Sequence, residues 1–203
     1  KAMLEENLHI IIDRVNKAAS IIRSLKDFSR KTKDDAIPVD VNAILTNILN
    51  FLHAQLTLSE VEVDLQLDAG LPQVLGQEVK LEQVFLNIIQ NGIQAMGRTE
   101  HPKMTIKTFL QSHLEPETLQ EKEFIVVMIQ DNGEGINPDI RQKIFDPFFT
   151  TREVGTGMGL GLSIVDRILR GLSGFVKIEP PSGKGTSFLI YLPPCPVRLE
   201  GAQ

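Results

Sequence analysis

Apolar residues in the first 33 positions recur at alternating steps of four and three: Leu4, Leu8, Ile11, Val15, Ala18, Ile22 and Leu25. That spacing predicts one amphipathic helix with a heptad seam, and a single helix cannot bury such a stripe alone. Residues 1–33 are therefore expected to pair with another helix, supplied by a second copy of the chain, with packing on their own domain as the alternative. The polar run that follows ends at Pro38, which disfavours helix at Ile37, so residues 34–38 read as a linker.

Beyond Pro38 the period changes repeatedly. Asp40 is a candidate cap for a helix through Ile44, Leu45, Ile48, Leu49 and Leu52. Val61, Val63, Leu65 and Leu67 alternate with polar residues, which predicts a half-buried strand. Leu81, Val84, Phe85, Ile88, Ile89 and Met96 stripe a second helix, and Met104, Ile106, Thr108 and Leu110 suggest a strand. Residues 111–122 are polar and read as a loop, whereas the apolar run 124–129 predicts a central strand. Asn137-Pro138 signals a helical turn towards Ile144. A glycine-bearing irregular stretch, 146–157, precedes a third helix with Leu162, Val165, Leu169 and Leu172 on one face. Strands near 175–178 and 187–192 close the chain. Paired strands at the end predict an α/β fold with a mixed, largely antiparallel sheet and helices on one face.

Composition narrows the class. Of 203 residues, 42% are hydrophobic and 23% charged, which excludes a disordered or collagen-like chain. The net charge of −5 argues against a general nucleic-acid binder. No apolar run reaches the roughly 20 residues of a membrane span. A single cysteine, Cys195, rules out an internal disulfide framework and fits a reducing compartment, so the expected location is the cytoplasm. His9, His53, His101 and His113 are scattered without zinc-like spacing.

Four clusters carry candidate chemistry. Asp131, Gly133 and Gly135 follow the apolar strand, where a carboxylate can accept an exocyclic amine such as adenine N6–H, although Asp-Asn-Gly is also an ordinary turn sequence. Gly155, Gly157, Gly159 and Gly161 lead into a helix, whose N-terminal N–H groups favour an anion; a flexible hinge is the alternative. Asn87 and Asn91 share a helix face beside an apolar stripe. An amide oxygen there suits Mg2+, and a solvated polar face is the other reading. Residues 145–149 place three phenylalanines next to Arg152, as a latch for a lid with a phosphate-reaching cation, or as a core cluster under a loop.

Together, in this order, these clusters resemble one family. Asn87-Ile88-Ile89-Gln90-Asn91 resembles the N box of bacterial two-component sensor histidine kinases, and 131–135, 155–161 and 183–186 resemble their three glycine boxes. Residues 145–149 are similar to the F box, and 94–96 with 148–152 lean towards the nitrogen-regulatory type. The likeness covers roughly residues 38–193. It implies a Bergerat-type two-layer sandwich preceded by a long coiled-coil-like helix. Residues 1–33 would be a partial dimerisation and histidine-phosphotransfer helix, 34–38 a linker, 39–194 the catalytic ATP-binding domain and 195–203 a tail.

By the same resemblance Asp131 holds the adenine amine of ATP or ADP, with Thr186 in support. Asn91 ligates Mg2+, and Asn87 lines the site. The second glycine box and Arg152 contact phosphates, and 146–157 forms the ATP lid. The implied enzyme transfers the ATP γ-phosphoryl group to a histidine for relay to a response-regulator receiver domain. Its acceptor motif is a histidine followed by an acidic residue, with a proline shortly after. His9 is followed by Ile10, and the other three histidines also lack the motif, so the acceptor is expected outside this chain. Gly92 stands where alanine is usual, at a helix cost of about 1 kcal/mol, and Gln77 stands where an aspartate cap is expected. The rival readings are a related ATPase, a serine kinase of the same superfamily, and a nucleotide-gated scaffold without phosphotransfer.

Overall fold

A computed structural model describes residues 36–115, 120–151, 158–180 and 183–196. The predicted heptad helix, residues 1–33, lies outside them, as do Arg152, Gly155 and Gly157.

The chain opens with a short strand, β1 (Ile37–Val39), and then helix α1 (Val41–Leu58). Asp40 caps α1 as its position suggests, its carboxylate accepting from the N–H groups of Asn42 and Ala43 at 2.8 and 3.2 Å. Strands β2 (Glu62–Gln66) and β3 (Val74–Gly76) follow, then helix α2 (Glu78–Ala95). Gln77 precedes α2 and makes no side-chain capping bond to it. A long hairpin, β4 (Lys103–Leu114) and β5 (Glu121–Asp131), leads to two single 3-10 turns, Pro138–Ile140 and Lys143–Phe145. Asn137 caps the first of these from its side chain, with Pro138 at the first helical position. Helix α3 (Gly161–Gly171) and strands β6 (Phe175–Glu179) and β7 (Thr186–Leu192) complete the fold.

The five-stranded sheet has the order β2-β4-β5-β7-β6. β2 runs parallel to β4 and every other pair is antiparallel, so the sheet is mixed as expected. β5 is central and buries Ile125, Val127 and Ile129 on the face towards the helices. There they meet Ile44, Leu45 and Ile48 of α1, Leu81, Phe85, Ile88 and Ile89 of α2, and Val165 and Leu169 of α3 in one core. In α3 the buried stripe also takes Ile164 and Ile168, while Leu162 and Leu172 at its margin are half-buried. The opposite sheet face carries a small aromatic cluster in which Phe175 stacks on Tyr191 at 4.5 Å.

Two elements depart from the sequence pattern. Residues 111–114 and 121–122, expected as loop, are strand: Ser112 pairs with Glu123 and His113 with Lys122. The end of this hairpin is largely solvated on both faces, so hydrophobic alternation vanishes while the backbone ladder continues. Ile37 and Pro38, at the end of the stretch read as linker, pair with Gly76 and Leu75 in a separate two-stranded sheet. Strands of three residues are too short to show a period, and Pro38 is tolerated at such an edge.

Candidate functional site

The site forms where α2, the end of β5, the start of β7 and the start of α3 converge. Asp131 is the last residue of β5 and pairs with Thr186 on one side and Met104 on the other. Both Asp131 and Thr186 are 4% exposed. Asp131 Oδ1 accepts the N–H groups of Gly133, at 2.9 Å, and Thr186, at 3.3 Å. Oδ2 accepts no hydrogen bond from any described residue. Burial pushes the Asp131 carboxyl above the usual carboxylate range, against the lowering effect of those two N–H bonds. A buried carboxylate with one oxygen held and the other available can receive a donor from a ligand.

The glycines explain how backbone closes round this carboxylate. A Cβ on Gly185, whose φ is +114°, would lie 1.9 Å from the Asp131 carbonyl oxygen. A Cβ on Gly133 would lie 2.6 Å from the carbonyl oxygen of Ala95, at the end of α2. The first and third glycine stretches thus interlock where no side chain fits. Asn132 clamps the other flank, accepting from the Lys103 N–H at 2.8 Å and donating to the His101 carbonyl at 2.9 Å.

Asn87 and Asn91 lie one helical turn apart on α2 and are half-buried. Asn87 Nδ2 donates to the carbonyl of Gly161 at 3.3 Å, which ties α2 to the first turn of α3. Among the described residues no side chain caps the N-terminus of α3, and no acidic residue occupies its first turn. Its leading N–H groups are available to an anion. The Asn91 side chain hydrogen-bonds to no described residue, so its amide oxygen is available to a ligand. Among the described residues no group of three or more His, Cys, Asp or Glu side chains could hold a metal. A cation beside Asn91 would therefore take most of its ligands from water and phosphate oxygens, a donor set that fits Mg2+.

Phe145 and Phe149 pack against the core, while Phe148 is 68% exposed at φ +68°. Of the sequence-predicted residues, Asn87, Asn91, Asp131, Gly133, Gly135, Gly159, Gly161 and Thr186 lie among the described residues, on the four converging elements and the loops that follow or precede them. Three features escape sequence reasoning. Gly185 has a motif signal but no evident contact; Gly92 lies against Asp131; and Arg141 has a buried Nε without a partner among the described residues. A hollow of about 300 Å3 lined by Leu58, Ile93, Met96 and Pro102 lies beside the C-terminal end of α2 and includes none of these residues in its lining. Chemistry rather than concavity locates the site.

The chain is similar to known proteins in sequence and in fold. Residues 76–196 match the family described as histidine kinase-, DNA gyrase B- and HSP90-like ATPase. The chain is 36% identical over 186 residues to the sensor kinase CckA of Brucella abortus (strain 2308), covering 90% of this chain and 20% of CckA. Its fold matches full-length ShkA, solved in complex with AMPPNP, at a TM-score of 0.71 and 22% identity over 90% of this chain and 36% of ShkA. It also matches the histidine kinase ThkA in complex with the response regulator TrrA, at a TM-score of 0.73 and 22% identity over 96% of this chain and 52% of that one. The chain spans a fifth of the length of CckA. Among the described residues no helix is long and apolar enough to cross a membrane. With 76–196 matched, the chain belongs to the histidine kinase-, DNA gyrase B- and HSP90-like ATPase family, as a catalytic region of the sensor-histidine-kinase type.

Proposed function

We propose that this region binds ATP with Mg2+ and that the whole protein transfers the γ-phosphoryl group to a histidine imidazole, for relay to an aspartate of a response-regulator receiver domain. The observation that carries the reading is Asp131: buried, with Oδ1 held by two backbone N–H groups and Oδ2 left for the adenine amine. Thr186 supports it from the neighbouring strand. The nucleotide complex of ShkA and the response-regulator complex of ThkA support the substrate and the partner.

In this reading Asn91 ligates Mg2+, which when bound neutralises charge on the phosphate oxygens, and Asn87 holds α2 against the phosphate end of the site. Gly159 and Gly161, with the first turn of α3, meet the phosphates, joined by Arg152, Gly155 and Gly157 of a lid over 146–157. Residues 1–33 pair two copies of the chain, 34–38 link them to the catalytic domain 39–194, and 195–203 form a tail.

Phosphoryl transfer asks little covalent chemistry of this domain. An imidazole nitrogen bonds to the γ-phosphorus, the bond to the bridging oxygen breaks, ADP departs with the electron pair, and a base takes the imidazole proton. The domain contributes positioning and charge stabilisation. Hydrolysis is the rival chemistry, and the site disfavours it: at Asn87 an amide, donating to Gly161, stands where an ATPase of this superfamily needs a glutamate to activate water.

The test is γ-labelled ATP, given to the chain alone and with a separately produced helix bearing a histidine followed by an acidic residue. The chain alone should stay unlabelled. The added helix should acquire label that is lost in acid and retained in base. Label on the chain alone would make one of His9, His53, His101 and His113 the acceptor, and release of free phosphate as the main product would favour the ATPase.

A further inference from the structure

Gly92 lies on α2 directly behind Asn91, buried beneath Asp131. A Cβ built on it would lie 3.6 Å from Asp131 Cβ and 3.8 Å from Oδ2, the oxygen that accepts no bond. The same Cβ would lie 2.8 Å from Met104 Cε, closer than such atoms approach one another. Met104 is fully buried and is the cross-strand partner of Asp131, so both side chains point from the sheet into this gap. The unbranched thioether is suited to filling an irregular space. The helix weakness that glycine brings to α2 thus coincides with a place where the sheet sends a side-chain tip towards the helix beside the site carboxylate.

We infer that Gly92 and Met104 form a matched pair that shapes the adenine end of the site: the Met104 methyl occupies the space a side chain at 92 would take and forms the wall beside Asp131 Oδ2. The inference rests on the reading of Asp131 as the adenine acceptor. Met104 is then a positioning residue. It stands across the strand pair from Asp131 and sets the space in which the base must lie, and it takes no part in the transfer itself. A side chain at 92 would drive the methyl off its seat and crowd Oδ2. Shortening residue 104 in the same molecule would remove the collision.

Four proteins test it by ADP titration calorimetry and thermal melting: Gly92→Ala, Met104→Val, the double variant, and Asp131→Asn as control. Gly92→Ala should bind ADP at least about tenfold more weakly while melting no lower than the parent, since alanine favours helix. The double variant should return to within about threefold of the parent. A merely structural role would move melting and affinity together, and no second substitution at 104 would rescue binding. Parent-like ADP affinity in Gly92→Ala, or failure of the double variant to recover, would overturn the pairing. Should Gly92→Ala not fold, Met104→Val alone carries the test: it opens the wall and should weaken ADP, and unchanged affinity would overturn the inference. If Asp131→Asn also binds ADP like the parent, the adenine reading itself fails. If only Asp131→Asn loses binding, the reading stands and the Gly92–Met104 pair falls.

Discussion

The backbone N–H of Phe148 donates to the carbonyl of Gly159 at 2.9 Å, tying the two flanks of residues 152–157 together at the edge of the site. Gly159 has φ +64°, and a Cβ there would fall 2.4 Å from the Phe149 carbonyl oxygen and 2.5 Å from the Phe148 carbonyl carbon. Both obstacles are backbone, so no side-chain rotation relieves them. Gly159→Ala should therefore displace the join between the F box and the start of α3. Calorimetry should find ATP affinity down by at least about tenfold, with the preference for ATP over ADP reduced. Unchanged ATP affinity would remove Gly159 from the phosphate end.

Asp131→Asn should separate stability from binding. The amide oxygen can keep the N–H groups of Gly133 and Thr186, but its NH2 would then face the adenine amine of the proposed ligand, donor against donor. Adenine-nucleotide affinity should fall about a hundredfold, roughly 2.7 kcal/mol.

The stability effect has the opposite sign. Burial raises the Asp131 carboxyl above its unfolded value, so the folded state holds the proton more readily. Between the unfolded and the raised folded pKa, stability falls as pH rises, and the ionised carboxylate is a cost at neutral pH. At pH near 7 Asp131→Asn should melt at or above the parent. That advantage should shrink as pH drops through the raised value, because the parent carboxyl then also becomes neutral. An advantage that grows on acidification would contradict the burial account.

Asn91→Ala and Asn87→Ala should differ. The Asn91 side chain hydrogen-bonds to no described residue, so its loss should change stability by no more than about 0.5 kcal/mol. ATP binding in Mg2+ should then fall towards the level measured in EDTA. Asn87→Ala breaks the bond to Gly161 and should weaken ATP with or without the metal. Identical metal dependence in the two variants would detach Asn91 from its proposed role.

Deleting residues 1–33 should leave a monomer that melts cooperatively and still binds ATP. The described core runs from Val39 to Leu192. Light scattering of the intact chain and the deletion checks this. An intact chain that is monomeric at high micromolar concentration would end the pairing proposal.

Much of this molecule is encoded locally. The stripes of α1 and α2, the Asp40 cap and the apolar run of β5 arise from periods within one element, because a helix or strand buries one face at a fixed repeat. The amide pair on α2 and the glycine-rich stretches are likewise short motifs, and their order along the chain is enough to suggest the family. The three-residue strands β1 and β3 and the solvated end of the β4–β5 hairpin had no such signal, since their pairing depends on distant backbone. Asp131 could be named from the sequence, but that Thr186 lies beside it, that one oxygen is held and the other left open, and that Met104 fills the gap over Gly92 were decided only when strands far apart in the chain came into register. Local sequence specifies a residue's type and conformational freedom; which atoms occupy the last few ångströms around a buried carboxylate is set by tertiary packing, where each volume is shared between elements that do not adjoin in sequence.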